Sequence, residues 1–373
     1  MLDALRRITL REIRLPLRDP FQISSGLVTD RRIFLLHLED SSGHEAWSEC
    51  VAMAAPIYSP ETIDTAWFAI EHWITPRVLG ISFEDFDHLH RSLQKDFRGH
   101  WMAKAAVEMG CWALEATRQQ IPLAQLMGGE RRQIATGISL GIQATPEALV
   151  EKVREAVAEG YRKVKIKIGP GKDVEFLGAV REALGSDPEL MADANSAYTL
   201  EDREHLAYLD GFDLMMIEQP LAWDDLRRHA VLQQHLQTPI CLDESIVDVA
   251  STEDMIALGA GRIVNLKPGR VGGFHTSRAI HDLCQKHDLG LWCGGMLESG
   301  IGRAYNVALA SLPHFELPGD VSPSARYWRQ DIVHPEWTMD EGLVTVPWDR
   351  PGLGIEVDVE RVESLTVRKK ILE

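Results

Sequence analysis

The chain has 373 residues, 45% of them apolar and 25% charged, which is room for one large domain or two ordinary ones with a core of useful size. Its formal net charge is −17 and its densest basic run is the short terminal Arg368–Lys370, so nucleic acid is a poor partner. Five scattered cysteines without CxxC spacing argue against a disulfide framework or thiolate zinc site, no apolar run approaches the ~20 residues of a membrane span, and the start "MLDALRRITLREIRL" is too charged for a signal peptide, so a cytoplasmic protein is expected.

In chain order, "ITLREIRLPL" (8–17) alternates like a strand, and "RIFLLHLED" and "HEAWSECVA" flank "SSG" as a hairpin would. Helical stretches follow near 60–78, 83–95 and 100–120. Strands segregated from helices predict an α+β capping domain over 1–130. From 131 to 325 the pattern changes. Eight apolar runs, "ATGISLG", "KVKIKIG", "ELMADAN", "DLMMIEQP", "PICLDES", "RIVNLKPG", "LGLWCGG" and "HFELPGD", alternate with helices. Thr145 is the expected N-cap of one helix, with Pro146 in its first turn and Gly160 as terminator. Thr199–Asp202 and Ser251–Asp254 read as capping boxes. The repeat predicts an α/β fold, a closed (β/α) barrel carrying the active site. The tail 326–373 breaks the alternation, and "GLVTVPW" and "GIEVDVERV" are expected to return to the capping domain as strands.

Lys167, Asp193, Glu218, Asp243 and Lys267 stand near the ends of five successive runs, at intervals of 26, 25, 25 and 24 residues. One strand–helix unit of a barrel takes about that length, so the five converge at the mouth formed by the C-terminal strand ends. Alternation turns Lys163, Lys165 and Lys167 to one side, with Lys163 lowest. Taken alone, "KVKIKI" reads more often as a solvated edge strand, and the register with the four further polar strand ends reverses that reading. Three close carboxylates need a counter-charge. The lysines could supply it as an ion-pair network, but oxygen-only ligands also suit a hard divalent cation such as Mg²⁺, with Mn²⁺ as a substitute. A cation and a neighbouring ammonium would lower the lysine pKa values and make them competent bases. Lys167 and Lys267 come from opposite sides of the ring, so a carbon acid between them would lose a proton to one face and regain it from the other. Its substrate would be a small carboxylate that passes through an enediolate.

These residues resemble the muconate-lactonising branch of the enolase superfamily, whose sites pair a lysine base with Mg²⁺. The resemblance covers nearly the whole chain. "DANSAYT", "IEQPLAWDDL", "CLDES", "NLKPGRVGG", "WCGGMLESGIGRA" and "LPGD" followed by "SARYW" resemble the o-succinylbenzoate synthase / N-acylamino acid racemase group. The resemblance implies Lys167 and Lys267 as the acid/base pair and Asp193, Glu218 and Asp243 as Mg²⁺ ligands. It implies Lys165 as holder of the substrate carboxylate, with Asn195 and Glu244 supporting the site and Arg270 tuning the base. Gly294, Gly295, Met296 and Ser139 would line the pocket. "PFQISSG" and "CVAMAAPIY" match two specificity loops, with Phe21, Met53 and Tyr58 as contacts. Ser25 departs from the aromatic that the family pattern places before the loop glycine. Dehydration in menaquinone synthesis, racemisation of N-acylamino acids, or both are the implied activities, and a homo-oligomer is expected. Dipeptide epimerisation, muconate cycloisomerisation, an inactive metal-binding barrel and a metal-independent sugar-phosphate barrel are the competing readings.

Overall fold

The computed structural model describes residues 1–23 and 26–373, and of residues 20–28 no side chain. Phe21, as a side-chain contact, and Ser25 therefore lie outside the described residues. Strands β1 (Leu5–Ile23), β2 (Gly26–Asp40) and β3 (Glu45–Cys50) form an antiparallel meander. Its β2–β3 turn is the expected "SSG", with Gly43 at φ +87° where a side chain would be strained. Three helical stretches follow: Ile63–Val78, continuous through a π-helical turn, then Phe86–Gln94 and Trp101–Arg118. The last is buried along almost its whole length because it lies between sheet and barrel. Ser48 donates to Ala106 O (2.6 Å), and a Cβ on Gly110 would meet Leu38 Cδ1 at 2.8 Å, so a side chain at this crossing would have to displace Leu38.

After β4 (Gln133–Ala135) come seven parallel strands: β5 (Gly137–Leu140), β6 (Lys163–Lys167), β7 (Leu190–Asp193), β8 (Ile217–Glu218), β9 (Ile240–Leu242), β10 (Ile263–Leu266) and β11 (Gly290–Cys293). They pair in sequence order. The eighth expected run, "HFELPGD", forms no strand of its own. Pro318 has no N–H for a ladder. The chain instead crosses the gap on single bonds: Gly137 N–H to Gly319 O (2.7 Å), Gly319 N–H to Ala135 O (3.0 Å) and Asp320 N–H to Cys293 O (2.9 Å). The ring between β11 and β5 is thereby joined.

Thr145 caps its helix by accepting from Ala148 N–H, with Pro146 in the first turn, as the sequence implies. The Thr199–Asp202 box also forms. Ser251 is not an N-cap. Asp248 takes that place and Ser251 is the third helical residue of the same box, because the carboxylate of Asp248 is free to accept Ser251 N–H at 2.8 Å.

The tail differs from expectation. β13 (Leu343–Thr345) pairs with β4, and β12 (Val333–His334) with β14 (Glu356–Val357). "VERVESL" is a helix capped by Asp358, burying Val362. The strand that joins the capping sheet is β15 (Thr366–Leu372), antiparallel to β1 from Ile8↔Leu372 to Ile13↔Thr366. Within 354–362 only Glu356–Val357 is a strand, paired with β12 and not with the capping sheet, and from Val359 the chain turns into the helix.

Three buried glutamates sit at helix N-termini. Glu61 accepts from Met102 and Ala103 N–H, at the start of Trp101–Arg118. Across the seam, Glu108 accepts from Phe274 and His275 N–H, and Glu49 from Ser299 and Gly302 N–H. Free amides and the positive end of the dipole make each terminus a carboxylate site. Glu108 and Glu49 thereby fasten the capping unit to the helices that follow β10 and β11.

Candidate active site

The strand ends bring all five expected residues to one mouth. β6 delivers Lys165 and Lys167, β7 Asp193, β8 Glu218, the residue after β9 Asp243, and the residue after β10 Lys267. Lys167 Nζ donates to Asp193 Oδ2 (2.6 Å) and to Asn195 Oδ1. Lys165 Nζ reaches Asp320 Oδ2 (2.9 Å), Glu218 Oε2 (3.1 Å) and Asp193 Oδ2 (3.5 Å). Lys267 Nζ donates to Asp243 Oδ2 (2.8 Å) and lies 4.5 Å from the Tyr58 ring centroid. The two outer lysines differ in access: the Lys167 side chain is 30% exposed, that of Lys267 7%.

Asn195 turns back toward the site because its backbone has φ +42°. Its N–H donates to Asp193 Oδ1 (3.1 Å) and its amide to Glu244 Oε1 (3.3 Å). Gln219 shares the left-handed conformation at φ +41° and accepts from Asp243 N–H (3.1 Å). Such backbone is costly for these residue types and persists where surrounding contacts hold it.

The electrostatics follow from burial. Burial and the Asp193 carboxylate push Glu218 up to about 8. Burial would raise Asp193 and Asp243 as well, but Lys167 and Lys165 hold the first, and Lys267 and Arg270 the second, below the usual carboxylate range. Burial and the adjacent Asp243 push Glu244 up to about 7, and its Oε2 is buried without a partner. Lys267 does not follow the expected lowering. Burial alone would depress it, but Asp243 and Tyr58 outweigh burial and raise it. The lowering requires Asp243 to spend its charge on another cation.

The donor set suits a hard divalent ion: three carboxylates from adjacent strands, no imidazole or thiolate, one carboxyl driven toward protonation by burial and its neighbour, and an orphaned oxygen on Glu244. The lysines hold the trio apart. Among the described residues the group whose potential ligand atoms all lie within 4.8 Å of one another is elsewhere, at Asp3, Asp40 and His44 beside the β2–β3 turn, where Asp40 already accepts from Ser42 and His44 N–H.

Arg270 meets the site through Asp243 Oδ1 and Tyr58 Oη (3.1 Å), and its Nε and Nη2 donate to Ile246 O and Asn265 O, both at 2.6 Å. It therefore bears on Lys267 through the shared carboxylate. Tyr58 also donates to Asp243 Oδ1 (2.8 Å), so the loop "CVAMAAPIY" covers the mouth. Val51 of that loop packs so closely on Gly269 that a Cβ there would stand 2.4 Å from Val51 Cγ2. Met53 bridges to Thr62 on the capping side. Gly294 leaves room for Asn265 and Lys267, since its Cβ would meet Asn265 Oδ1 at 2.1 Å. A Cβ on Gly295 would collide with Asp320 O. Met296 is buried beside a small cavity behind Lys267 that Glu49 and Glu298 also line. Ser139 Oγ donates to Asp320 Oδ2 (3.0 Å).

Sequence reasoning missed Asp320, Asn265 and Gln219 as site residues. Asn265 donates to Glu218 Oε1 (2.6 Å). Asp320 had a signal: two further steps from Lys267, of 27 and 26 residues, land on Gly294 and Asp320. The glycine interrupts the polar series one unit before it resumes.

A family model described as enolase C-terminal domain-like matches residues 148–362, and the N-terminal domain of mandelate racemase / muconate lactonizing enzyme matches residues 6–128. The o-succinylbenzoate synthase of Geobacillus stearothermophilus is 44% identical, over 98% of this chain and 96% of its own. The N-succinylamino acid racemase of an Amycolatopsis species is 44% identical, over 97% of each. A solved enolase-superfamily member from Listeria innocua superposes with a TM-score of 0.95 at 36% identity, covering 99% of both chains.

Proposed function

The chain belongs to the enolase superfamily, in the mandelate racemase / muconate lactonizing enzyme family, and from that premise we propose that it is an Mg²⁺-dependent enzyme that removes a proton α to a carboxylate. Its substrates are those of the o-succinylbenzoate synthase and N-succinylamino acid racemase relatives: a succinyl-bearing hydroxycyclohexadiene carboxylate that it dehydrates in menaquinone synthesis, N-succinylamino acids that it racemises, or both. The observation that carries the reading is the lysine pair. Lys167 and Lys267 come from strands separated by three others, and Asp193, Glu218 and Asp243 lie on those three.

Asp193, Glu218 and Asp243 would hold the cation, with Asn195 and Glu244 bracing them. Bound Mg²⁺ would supply positive charge for the oxygen that becomes negative as the carbon acid ionises. Lys165 holds the substrate carboxylate by a charge-assisted hydrogen bond. Lys167, as the neutral amine, takes the α-proton and becomes an ammonium. In dehydration that proton goes to the departing hydroxyl, which leaves as water, and Lys267 stays an ammonium facing the developing charge. In racemisation Lys267 gives a proton to the opposite face of the carbon, and the reverse direction exchanges the two roles. Arg270 and Tyr58 hold Asp243, and so keep Lys267 aimed across the mouth.

The reading includes a division into a capping unit (1–130), a barrel (131–325) and a returning tail (326–373), a cytoplasmic setting and a homo-oligomer. Five free, buried cysteines support the reducing setting, and among the described residues no helix is long and apolar enough to cross a membrane.

The test uses purified protein with Mg²⁺ in D₂O. Deuterium at Cα of N-succinyl-L-phenylalanine is followed by NMR, and dehydration of the succinyl-cyclohexadiene substrate by absorbance. Exchange with racemisation establishes the two-base enzyme. Dehydration without exchange establishes a dedicated synthase. Silence in both overturns the substrate assignment.

A further inference from the structure

The proposed reaction gives Lys163 no work, yet it is the most deeply buried of the three lysines on β6, with no exposed surface. Its Nζ makes no hydrogen bond among the described contacts. It lies 3.4 Å from the Trp292 ring centroid and 3.8 Å from Asp320 Oδ1, which also lacks a hydrogen bond. Gly137 backs its stem, since a Cβ there would meet Lys163 Cε at 2.7 Å. The other oxygen, Asp320 Oδ2, receives Lys165 Nζ and Ser139 Oγ.

We propose that Asp320, backed by Lys163, is a positioning residue that fixes the Lys165 ammonium for the substrate carboxylate, an inference that rests on the role given to Lys165 above. An ammonium has three donors. Of the three carboxylates within reach of Lys165, Glu218 and Asp193 belong to the trio whose oxygens a cation would claim. Asp320 alone remains with Lys165. It is also rigid: its N–H is bound to Cys293 O (2.9 Å), and its carbonyl receives Arg303 Nη1 (2.7 Å).

Lys163 completes the device through charge. A buried Lys165–Asp320 pair alone would be neutral and would attract an incoming carboxylate weakly. Burial lowers Lys163 to about 8, so at neutral pH and below it is an ammonium on the opposite oxygen, and the group of two ammoniums and one carboxylate keeps a net positive charge beneath the mouth. The Trp292 face stabilises Lys163 without neutralising it. A buried ammonium is costly when its partners are incomplete, so this placement is explained by what the charge does for the substrate.

The experiment compares Asp320→Asn, Lys163→Met and the double variant with the unmodified protein, all with Mg²⁺. Thermal unfolding is measured, together with calorimetric affinity for N-succinyl-L-phenylalanine and for its α-carboxamide, which lacks the α-carboxylate and keeps that of the succinyl group. Asp320→Asn is expected to lower Tm, because Lys163 becomes an unpaired buried cation, and, although the net charge rises, to weaken the acid about tenfold because Lys165 is no longer held toward it, the scale of one charge-assisted hydrogen bond. The double variant should recover Tm and stay weak for the acid. Lys163→Met should keep Tm and weaken the acid a few-fold (~3-fold). Affinity for the carboxamide should be the same throughout. Recovery of acid affinity together with Tm in the double variant would overturn the inference, because Asp320 would then be structural only. So would an Asp320→Asn protein that binds the acid normally, or an unmodified protein that does not distinguish acid from carboxamide. If Asp320→Asn does not fold, the other two variants carry the same test. An unmodified protein that prefers the acid without exchanging its α-proton, and loses that preference in the double variant, defeats the functional reading and leaves this one standing.

Discussion

Two regions of this molecule, the seam and the mouth, keep buried carboxylates in different ways. At the seam between capping unit and barrel, Glu49 and Glu108 accept hydrogen bonds from backbone amides at helix N-termini. At the mouth, Asp193, Glu218 and Asp243 are held by lysine and arginine side chains. Amide partners are fixed by the helix and cannot be exchanged without unfolding it. Ammonium partners end flexible stems and can give way to another cation or turn to a substrate. The first arrangement builds a joint and the second a reaction site, from the same chemical group.

The comparison breaks most sharply at Asp243. Asp243→Ala should lower kcat by about a thousandfold or more while the protein stays folded, since a mouth carboxylate serves the transition state and not the joint. Steady-state kinetics beside thermal unfolding checks this, and an unaffected rate would remove Asp243 from the site. Arg270→Met should cost about 10- to 100-fold in kcat/KM, the usual scale for a group that orients a ligand. An unchanged value would mean that Arg270 only ties down its loop.

At the seam the effect should fall on stability. Burial pushes Glu108 up to about 7, against the amides that oppose it. The folded protein therefore binds this proton more tightly than the unfolded chain, where the value is about 4.3. The proton's contribution is complete below the unfolded value and is lost as pH rises through about 7. Glu108→Gln should be less pH-dependent over that window by on the order of 3 kcal/mol, with kcat unchanged. Parallel urea titrations at pH 5 and pH 8 decide it, and an equal slope for both proteins would be the failing result. Tyr58→Phe is the smallest change. It removes one hydrogen bond to Asp243 and should cost up to about tenfold in kcat/KM.

Much of the mouth was legible because a barrel repeats. The spacing of Lys167, Asp193, Glu218, Asp243 and Lys267 reports the strand–helix unit directly, and it is enough to bring both lysines and all three carboxylates to one mouth. What was hidden depends on contacts made by segments without a period. Asp320 sits on a crossing with no strand of its own, behind a glycine that interrupts the series. The rise in Lys267 depends on Asp243 and Tyr58, which come from separate units. "GIEVDVERV" holds a two-residue strand and then a helix, and its alternation runs across the boundary that Asp358 sets as cap. The seam glutamates stand within a strand and a helix whose patterns read as ordinary, because a helix N-terminus supplied by another segment leaves no mark in the local sequence.

The measurement that tests the central claim most directly is enantiomer-resolved NMR in D₂O with Mg²⁺. It starts separately from N-succinyl-L-phenylalanine and its D-enantiomer, with the unmodified protein, Lys167→Ala and Lys267→Ala. Two bases on opposite faces predict that the unmodified protein interconverts the enantiomers with deuterium at Cα, and that neither variant does so in either direction. Substantial interconversion by either variant would contradict a two-lysine mechanism.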